Sequence, residues 1–449
     1  MTDAKRRLTM LAAIGAMLVA SIAAGLALLD WRPVGLADHT HLALFVASTC
    51  LAGGLWLLAV VIVRRGRLPP RTIWLVLGVA VAMRLLTLAT PPILSSDLYR
   101  YVWDGRVQLA GINPYRYLPV AGELAFLRDA AVYPNINRAG YAHTVYPPAA
   151  QAIFVLAAVA TPGVFGMKVM IAGFDALAIV ALIQLLRIAG REPAELLIYA
   201  WMPLPVWEFG GNAHIDGVAA GLLALSLLIA VRGRSIWTGM VLAAATLTKF
   251  LPAVVLPAFW RPRDRRLPIA FVVTLVVFYV PYTAVGWRVL GFLPGYLSEE
   301  GLTSGHGIFL LDLIGTAVTV PAWAPKAYFA LVLALLGFLA ARFVFATELP
   351  AAAGPRVLQQ ARQAAILGGV LLFALSPHYP WYISWLAPLA CLAPLPSVLW
   401  MLAAAPLLAH GSFEYLAVPG MVYLPAVILA SIDLCRRLPA PPQALRSVP

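Results

Sequence analysis

The sequence predicts an all-α polytopic membrane protein, and three observations carry that prediction. Of 449 residues, 62% are hydrophobic and only 11% charged, with a mean hydropathy of +0.87. Soluble domains run at about 45–50% apolar and about 25% charged, and larger soluble chains split into domains with wet exteriors rather than hide more apolar surface. The apolar residues fall in long runs, and the net charge of +13 lies mostly in short arginine-rich clusters between them. That pattern marks a cytoplasmic membrane face rather than a nucleic-acid site. Cys50, Cys391 and Cys435 sit inside apolar stretches without ligand spacing, which excludes a zinc or disulfide framework.

The elements follow in order. Lys5, Arg6 and Arg7 precede an apolar run over 8–29. It is longer than a signal peptide's apolar stretch, so a retained anchor is expected. A second run, 42–63, ends at Arg64, Arg65, Arg67 and Arg71; a third covers 72–91. With the amino terminus cytoplasmic, segment 92–146 lies outside. The proline-bounded stretch 146–162 is expected to lie in the outer interface. Stretch 235–260 has arginine clusters at both ends. The charge pattern therefore predicts two half-helices broken near Lys249-Phe250-Leu251-Pro252, with Lys249 at the outer tip. Further spans are expected over 168–187, 195–209, 214–231, 268–285, 326–346, 363–377, 383–397, 398–411 and 416–434. The total is 12 to 14 transmembrane helices with both termini cytoplasmic, Arg436 and Arg437 agreeing. A disordered proline-rich tail is expected over 438–449.

Segment 92–146 holds the densest ionisable set. Ser95 or Ser96 suits an N-cap, and the helix that follows puts Asp97, Tyr101, Asp104 and Gln108 on one face. Arg100 is within reach of both carboxylates. Gly111 and Pro114 end the helix. Two readings stand: an interfacial amphipathic helix whose arginine neutralises its acids, or a carboxylate poised as general base beside phosphate-holding cations. Glu208, Asn212, His214 and Asp216 join two spans without a basic residue; an acid and a histidine at the mouth of a span are site candidates, and the alternative is a glycine-rich turn with Asn212 as helix N-cap. Lys168 and Lys249 either snorkel to the interface or serve a site. Ser376-Pro-His378-Tyr-Pro-Trp381-Tyr382 is an aromatic turn suited to an interfacial belt or to packing a sugar or lipid phosphate. Asp175, inside a span, has Arg84 as a candidate partner.

The stretch Asp97-Leu-Tyr-Arg-Tyr-Val-Trp-Asp-Gly-Arg-Val-Gln, followed by Gly111-Ile-Asn-Pro-Tyr, resembles the first outer loop of GT-C glycosyltransferases. It is most similar to the bacterial polyprenyl-phosphate-mannose-dependent mannosyltransferases. Val145-Tyr-Pro-Pro, the Lys168 span, Gly211-Asn-Ala-His-Ile-Asp, Thr248-Lys-Phe-Leu-Pro and Pro377-His-Tyr-Pro-Trp-Tyr follow in the family's order, so the likeness covers roughly 72–390. The resemblance implies two extra N-terminal helices (1–71), a catalytic module (72–285) with outer loop 92–146, and C-terminal spans (286–437).

It further implies an inverting hexosyltransferase, with mannose the leading sugar, working on the extracytoplasmic side of a bacterial inner membrane in envelope biogenesis. By position Asp97 is the general base, and Asp104 is the fallback or orients the acceptor. Lys249, Lys168, Arg100 and Arg138 are the candidates for the donor phosphate. His214, Asp216, Tyr101, His378 and Trp381 are the candidates for sugar or acceptor. The implied partners are a polyprenyl-phosphate sugar, a lipid or glycan acceptor and membrane lipids, with no nucleic acid. No cofactor is required by this pattern, which leaves a divalent metal open. A lipid-linked glycan flippase or secondary transporter is the alternative. It is disfavoured because transporters pair broken helices in matching halves near the midplane, whereas the sequence predicts one break and charges gathered at the outer face.

Overall fold

The computed structural model describes residues 3–29, 39–346, 348–410 and 416–435. Arg436, Arg437 and the expected tail at 438–449 lie outside the described residues. Within them the chain is helical, with no β-strand. Helices α1 (Asp3–Leu28), α2 (His39–Val63) and α3 (Thr72–Leu88) come first. Along α1, Leu11, Ile14, Leu18 and Ile22 recur at helical spacing and are buried, forming a stripe that faces the bundle. The indole of Trp56 on α2 donates to the Ile198 carbonyl at 3.1 Å, and Trp201 donates to Val76 on α3 at 2.9 Å. The first two helices therefore share one core with the rest of the chain.

Next come α4 (Asp97–Leu109), two short 3-10 turns, α5 (Pro148–Ala160) and α6 (Val164–Ile188). Arg84 on α3 and Asp175 on α6 form an ion pair at 2.5 Å, and the Tyr199 hydroxyl donates to the same carboxylate. Prolines 203 and 205 then break the chain into short turns, ending in a π turn at Val206–Gly211. A bend of 119° separates that piece from helix Asp216–Val231. Helix Ser235–Lys249 stops at Phe250, whose φ of 58° lies outside the helical region, and a 3-10 turn carrying Pro252 follows.

Among the described residues, six helices are long and apolar enough to cross a membrane, or seven if the bent pair counts as one. That architecture is a polytopic membrane protein. The number falls short of the 12 to 14 spans expected, and proline explains much of the difference. The expected spans 383–397 and 398–411 are pieces such as Trp381–Ser384, Ala387–Leu392 and Pro396–Ala404, each broken at a proline-rich joint. The preceding helix, by contrast, begins at Ala353, ten residues before the expected start at 363.

Close helix contact positions the site. A Cβ on Gly105 of α4 would lie 2.5 Å from the Phe154 carbonyl oxygen of α5. Gly105→Ala should therefore lower the melting midpoint in detergent, by a destabilisation of about 1–3 kcal/mol. Gly78→Ala, in a helix position with open space around it, should hold or raise the midpoint through helix propensity. Equal midpoints for the two variants would contradict the packing described.

Candidate active site

Asp97 opens α4. Its backbone N–H donates to Ser95 Oγ at 3.2 Å, while Ser96, at the N-cap position, makes no side-chain capping bond. A carboxylate in a first helical turn also meets the positive end of the helix dipole. Asn137 Nδ2 donates to Asp97 Oδ1 at 2.8 Å. The other oxygen, Oδ2, lies 3.7 Å from Nδ1 of His214. The Asp97 side chain keeps 18% of its surface exposed, and it lines a cavity of about 510 Å³. That volume falls in the range of small-molecule sites, about 300–1,000 Å³.

Lys249 reaches the same cavity from the last turn of its helix, where a cation suits the dipole. Its Nζ donates to Asp216 Oδ2 at 2.7 Å and stands 4.1 Å over the Tyr382 ring. Asp216 is fully buried, and its other oxygen has no hydrogen-bond partner among the described residues. Arg138, at φ 55°, binds Glu299 at 2.8 Å. Arg100 also lines the cavity, but its guanidinium is committed to Asp104 at 2.9 Å and the Ala142 carbonyl at 3.1 Å. His143 lies on the same wall. Burial first, then the charges of Arg100 and Arg288, push its pKa below the ordinary histidine value, which keeps it neutral near pH 7.

The structure thus brings Asp97, Lys249, Arg100, Arg138, His378 and Trp381 together on one cavity. His378 sets Nε2 2.7 Å from the Gly307 carbonyl and Nδ1 3.5 Å from Glu300. Trp381 is stacked by His214 at 4.1 Å and by Tyr379 at 4.5 Å. His214 and Asp216 form the layer behind the wall.

Three other expected residues lie off the cavity. Asp104 is buried between Arg100 and Gln151, whose Nε2 donates to it at 3.0 Å. Tyr101 is buried against Phe154 at 4.6 Å, and its hydroxyl accepts from Ile215 N. Lys168 is buried with its ammonium on the Thr87 and Thr90 carbonyls, closing the end of α3. A lysine spent on helix-end carbonyls is not free for a phosphate.

Sequence reasoning missed Asn137, Tyr296 and Glu300. Tyr296 bonds the Tyr382 hydroxyl, and Gly291, at φ 57° and packed on the Thr144 carbonyl, fixes this segment against the loop after α4. Asn137 stands in a loop, and Tyr296 and Glu300 lie on and just after the seven-residue helix Leu293–Glu299, too short for a periodic pattern to mark them. Among the described residues no group of three or more His, Cys, Asp or Glu is placed to hold a metal.

Residues 8–261, more than half of the chain, match the family model described as "Alpha-(1->6)-mannopyranosyltransferase, N-terminal domain". The matched stretch takes in α1 and α2. Alpha-(1->6)-mannopyranosyltransferase A of Mycobacterium tuberculosis is 25% identical over 171 residues, 38% of this chain and 33% of that protein. The chain thus spans about a third of the length of that curated relative. No solved structure gives a significant match.

The Lys249–Asp216 pair has a measurable consequence. Losing one partner of a buried ion pair costs about 3–5 kcal/mol, while replacing both together costs far less. Lys249→Met should depress the melting midpoint, and the double variant Lys249→Met/Asp216→Asn should recover most of that loss. A double variant that melts below the single one would contradict the pairing.

Proposed function

Because the chain belongs to the alpha-(1->6)-mannopyranosyltransferase family, we propose that it is a membrane glycosyltransferase. It moves mannose from a polyprenyl-phosphate carrier to a lipid or glycan acceptor, with inversion at the anomeric carbon. The observation that carries this reading is the opening of Asp97 and Lys249 onto one cavity. Asp97 takes the acceptor hydroxyl's proton, a role that contributes about 10²–10⁴-fold to such steps. Asn137 holds one oxygen of Asp97 and so aims the other. Lys249 and Arg138 stabilise charge growing on the leaving phosphate, as fixed cations in a partly dry site do. Each cation already has a carboxylate partner, Asp216 or Glu299. The phosphate therefore meets held, oriented donors rather than free ones. In this reading side chains supply the neutralising charge.

The cavity faces the extracytoplasmic side of a bacterial cytoplasmic membrane in this reading, with the amino terminus inside. Its support is the position of α3. Arg64, Arg65, Arg67 and Arg71 precede this helix and Asp97 follows it. Its 17 residues put about 25 Å between the two ends, and basic clusters stay cytoplasmic.

The competing reading is a lipid-linked glycan flippase or transporter. It gains something from the structure, because two helices are broken rather than one. Transfer chemistry separates the readings. Purified protein given polyprenyl-phosphate mannose and membrane lipid extract should release polyprenyl phosphate and form an inverted product, and Asp97→Asn should cut the rate by about 10²–10⁴-fold. Wild-type protein that moves lipid across vesicles without releasing the carrier would favour the transporter. Sidedness has its own check: Gly122, with open space around it, replaced by cysteine should react with an impermeant maleimide in intact cells. Labelling only after lysis would reverse the topology.

A further inference from the structure

Behind the cavity wall stands a line of three ionisable groups that the transfer step, as described, leaves partly unused. His214 is fully buried. Its Nδ1 lies 3.7 Å from Asp97 Oδ2 and its Nε2 lies 3.5 Å from Glu208 Oε2. Neither ring nitrogen has a hydrogen-bond partner among the described residues. The ring cannot turn away to find one, because Trp381 stacks on its face at 4.1 Å. Its backbone N–H is also tied to the Glu208 carbonyl at 2.7 Å.

Glu208 is aimed at the ring by the π turn Val206–Gly211, in which Asn212 N reaches back to the Trp207 carbonyl at 2.8 Å. Turns of this kind recur at functional sites. Asn212 Nδ2 donates to the same Glu208 oxygen at 3.1 Å and fixes the carboxylate. N–H···O bonds run at about 2.7–3.2 Å, so a shift of about half an ångström closes both gaps. Such gaps commonly tighten only when a site is loaded.

From this geometry we infer that Asp97, His214 and Glu208 form a proton relay, with His214 and Glu208 as positioning residues behind the base. The inference rests on the glycosyl-transfer reading. As the acceptor O–H breaks and the new glycosidic C–O bond forms, the donor's C–O bond breaks with its electron pair left on the phosphate. The proton passes to Asp97 Oδ2 and on to Nδ1 of His214. Nε2–H then donates to Glu208, whose carboxylate balances the imidazolium. The Lys249 ammonium opposes a positive ring but is itself paired with Asp216, so the carboxyl groups of Asp97 and Glu208 on either side of the ring have to offset that charge and the burial; Tyr101 accepts from Ile215 N. The proton returns through Asp97 to water once product leaves, because Asp97 alone of the three opens on the cavity.

The test uses the same transfer assay. Glu208→Gln keeps size and an acceptor for Asn212 but removes the charge, and His214→Gln removes the ring. Each should lower kcat roughly 10- to 100-fold while KM for donor and acceptor stays within about twofold. The double variant should be no slower than the slower single one, because a relay is lost only once. Should His214→Gln fail to fold, His214→Phe keeps the stack on Trp381 and carries the same expectation. A Glu208→Gln enzyme with wild-type kcat beside an inactive Asp97→Asn enzyme overturns the relay and leaves the transfer reading standing. So does a double variant whose losses multiply. Full turnover by Asp97→Asn removes Asp97 as the base and the relay with it, whereas wild-type protein that releases no polyprenyl phosphate removes the transfer reading itself.

Discussion

A charge enclosed by a helical bundle must be met by a partner, and the site is built on that constraint. Arg84 meets Asp175, Arg100 meets Asp104, and Lys249 meets Asp216. Lys168, with no carboxylate beside it, meets two helix-end carbonyls. Each contact joins different elements or closes a helix end, with Arg100–Asp104 anchored across to α5 through Gln151. Removing one ion-pair partner strands the other in a medium that does not solvate it. The helix ends around the cavity are therefore fixed by electrostatic necessity as much as by packing.

Asp97 is the exception that gives the arrangement a use. Among the described residues no cation is bonded to it, only the Asn137 amide, with a histidine just beyond hydrogen-bond distance. Its exposure is partial, unlike the nearly closed Asp104 two turns along the same helix. Two aspartates on one helix face thus occupy different physical states. One is spent on an arginine and holds α4 in place. The other opens on the cavity and is held by a neutral amide.

Much of this was legible in the sequence. Composition settled the membrane class, and the helix break at Lys249–Pro252 followed from charge clusters at both ends of one apolar run. Arg84 and Asp175 announce each other because each is a charge inside a span. The i, i+4 spacing foresaw the Arg100–Asp104 contact, but burial of that pair is decided by Gln151 on α5, which no local pattern marks. Lys168 read as a phosphate ligand because a lysine near a span's end looks the same whether its ammonium meets water, phosphate or carbonyl oxygens. The number of spans is less legible, because apolar runs give length only where proline does not cut them. The Tyr296–Glu300 segment was invisible because it lies far along the chain and its role is purely spatial.

The two broken helices bear on chemistry versus transport, and their backbone decides what they offer a ligand. In transporters, unwound helix ends leave carbonyls and N–H groups free to coordinate cargo. Here the ends are largely occupied by the protein itself. At the 119° bend, Asn212 N goes to the Trp207 carbonyl and His214 N to the Glu208 carbonyl. At the second break, Phe250 N returns to Thr246 and Ala253 N to Phe250. What these breaks deliver to the neighbourhood of the cavity is side chains: Glu208 and His214 from one, Lys249 from the other. An acid, an imidazole and an ammonium held at fixed spacing can move protons and meet a departing phosphate. The breaks therefore supply reactive side chains more readily than backbone ligands, as a group-transfer site requires.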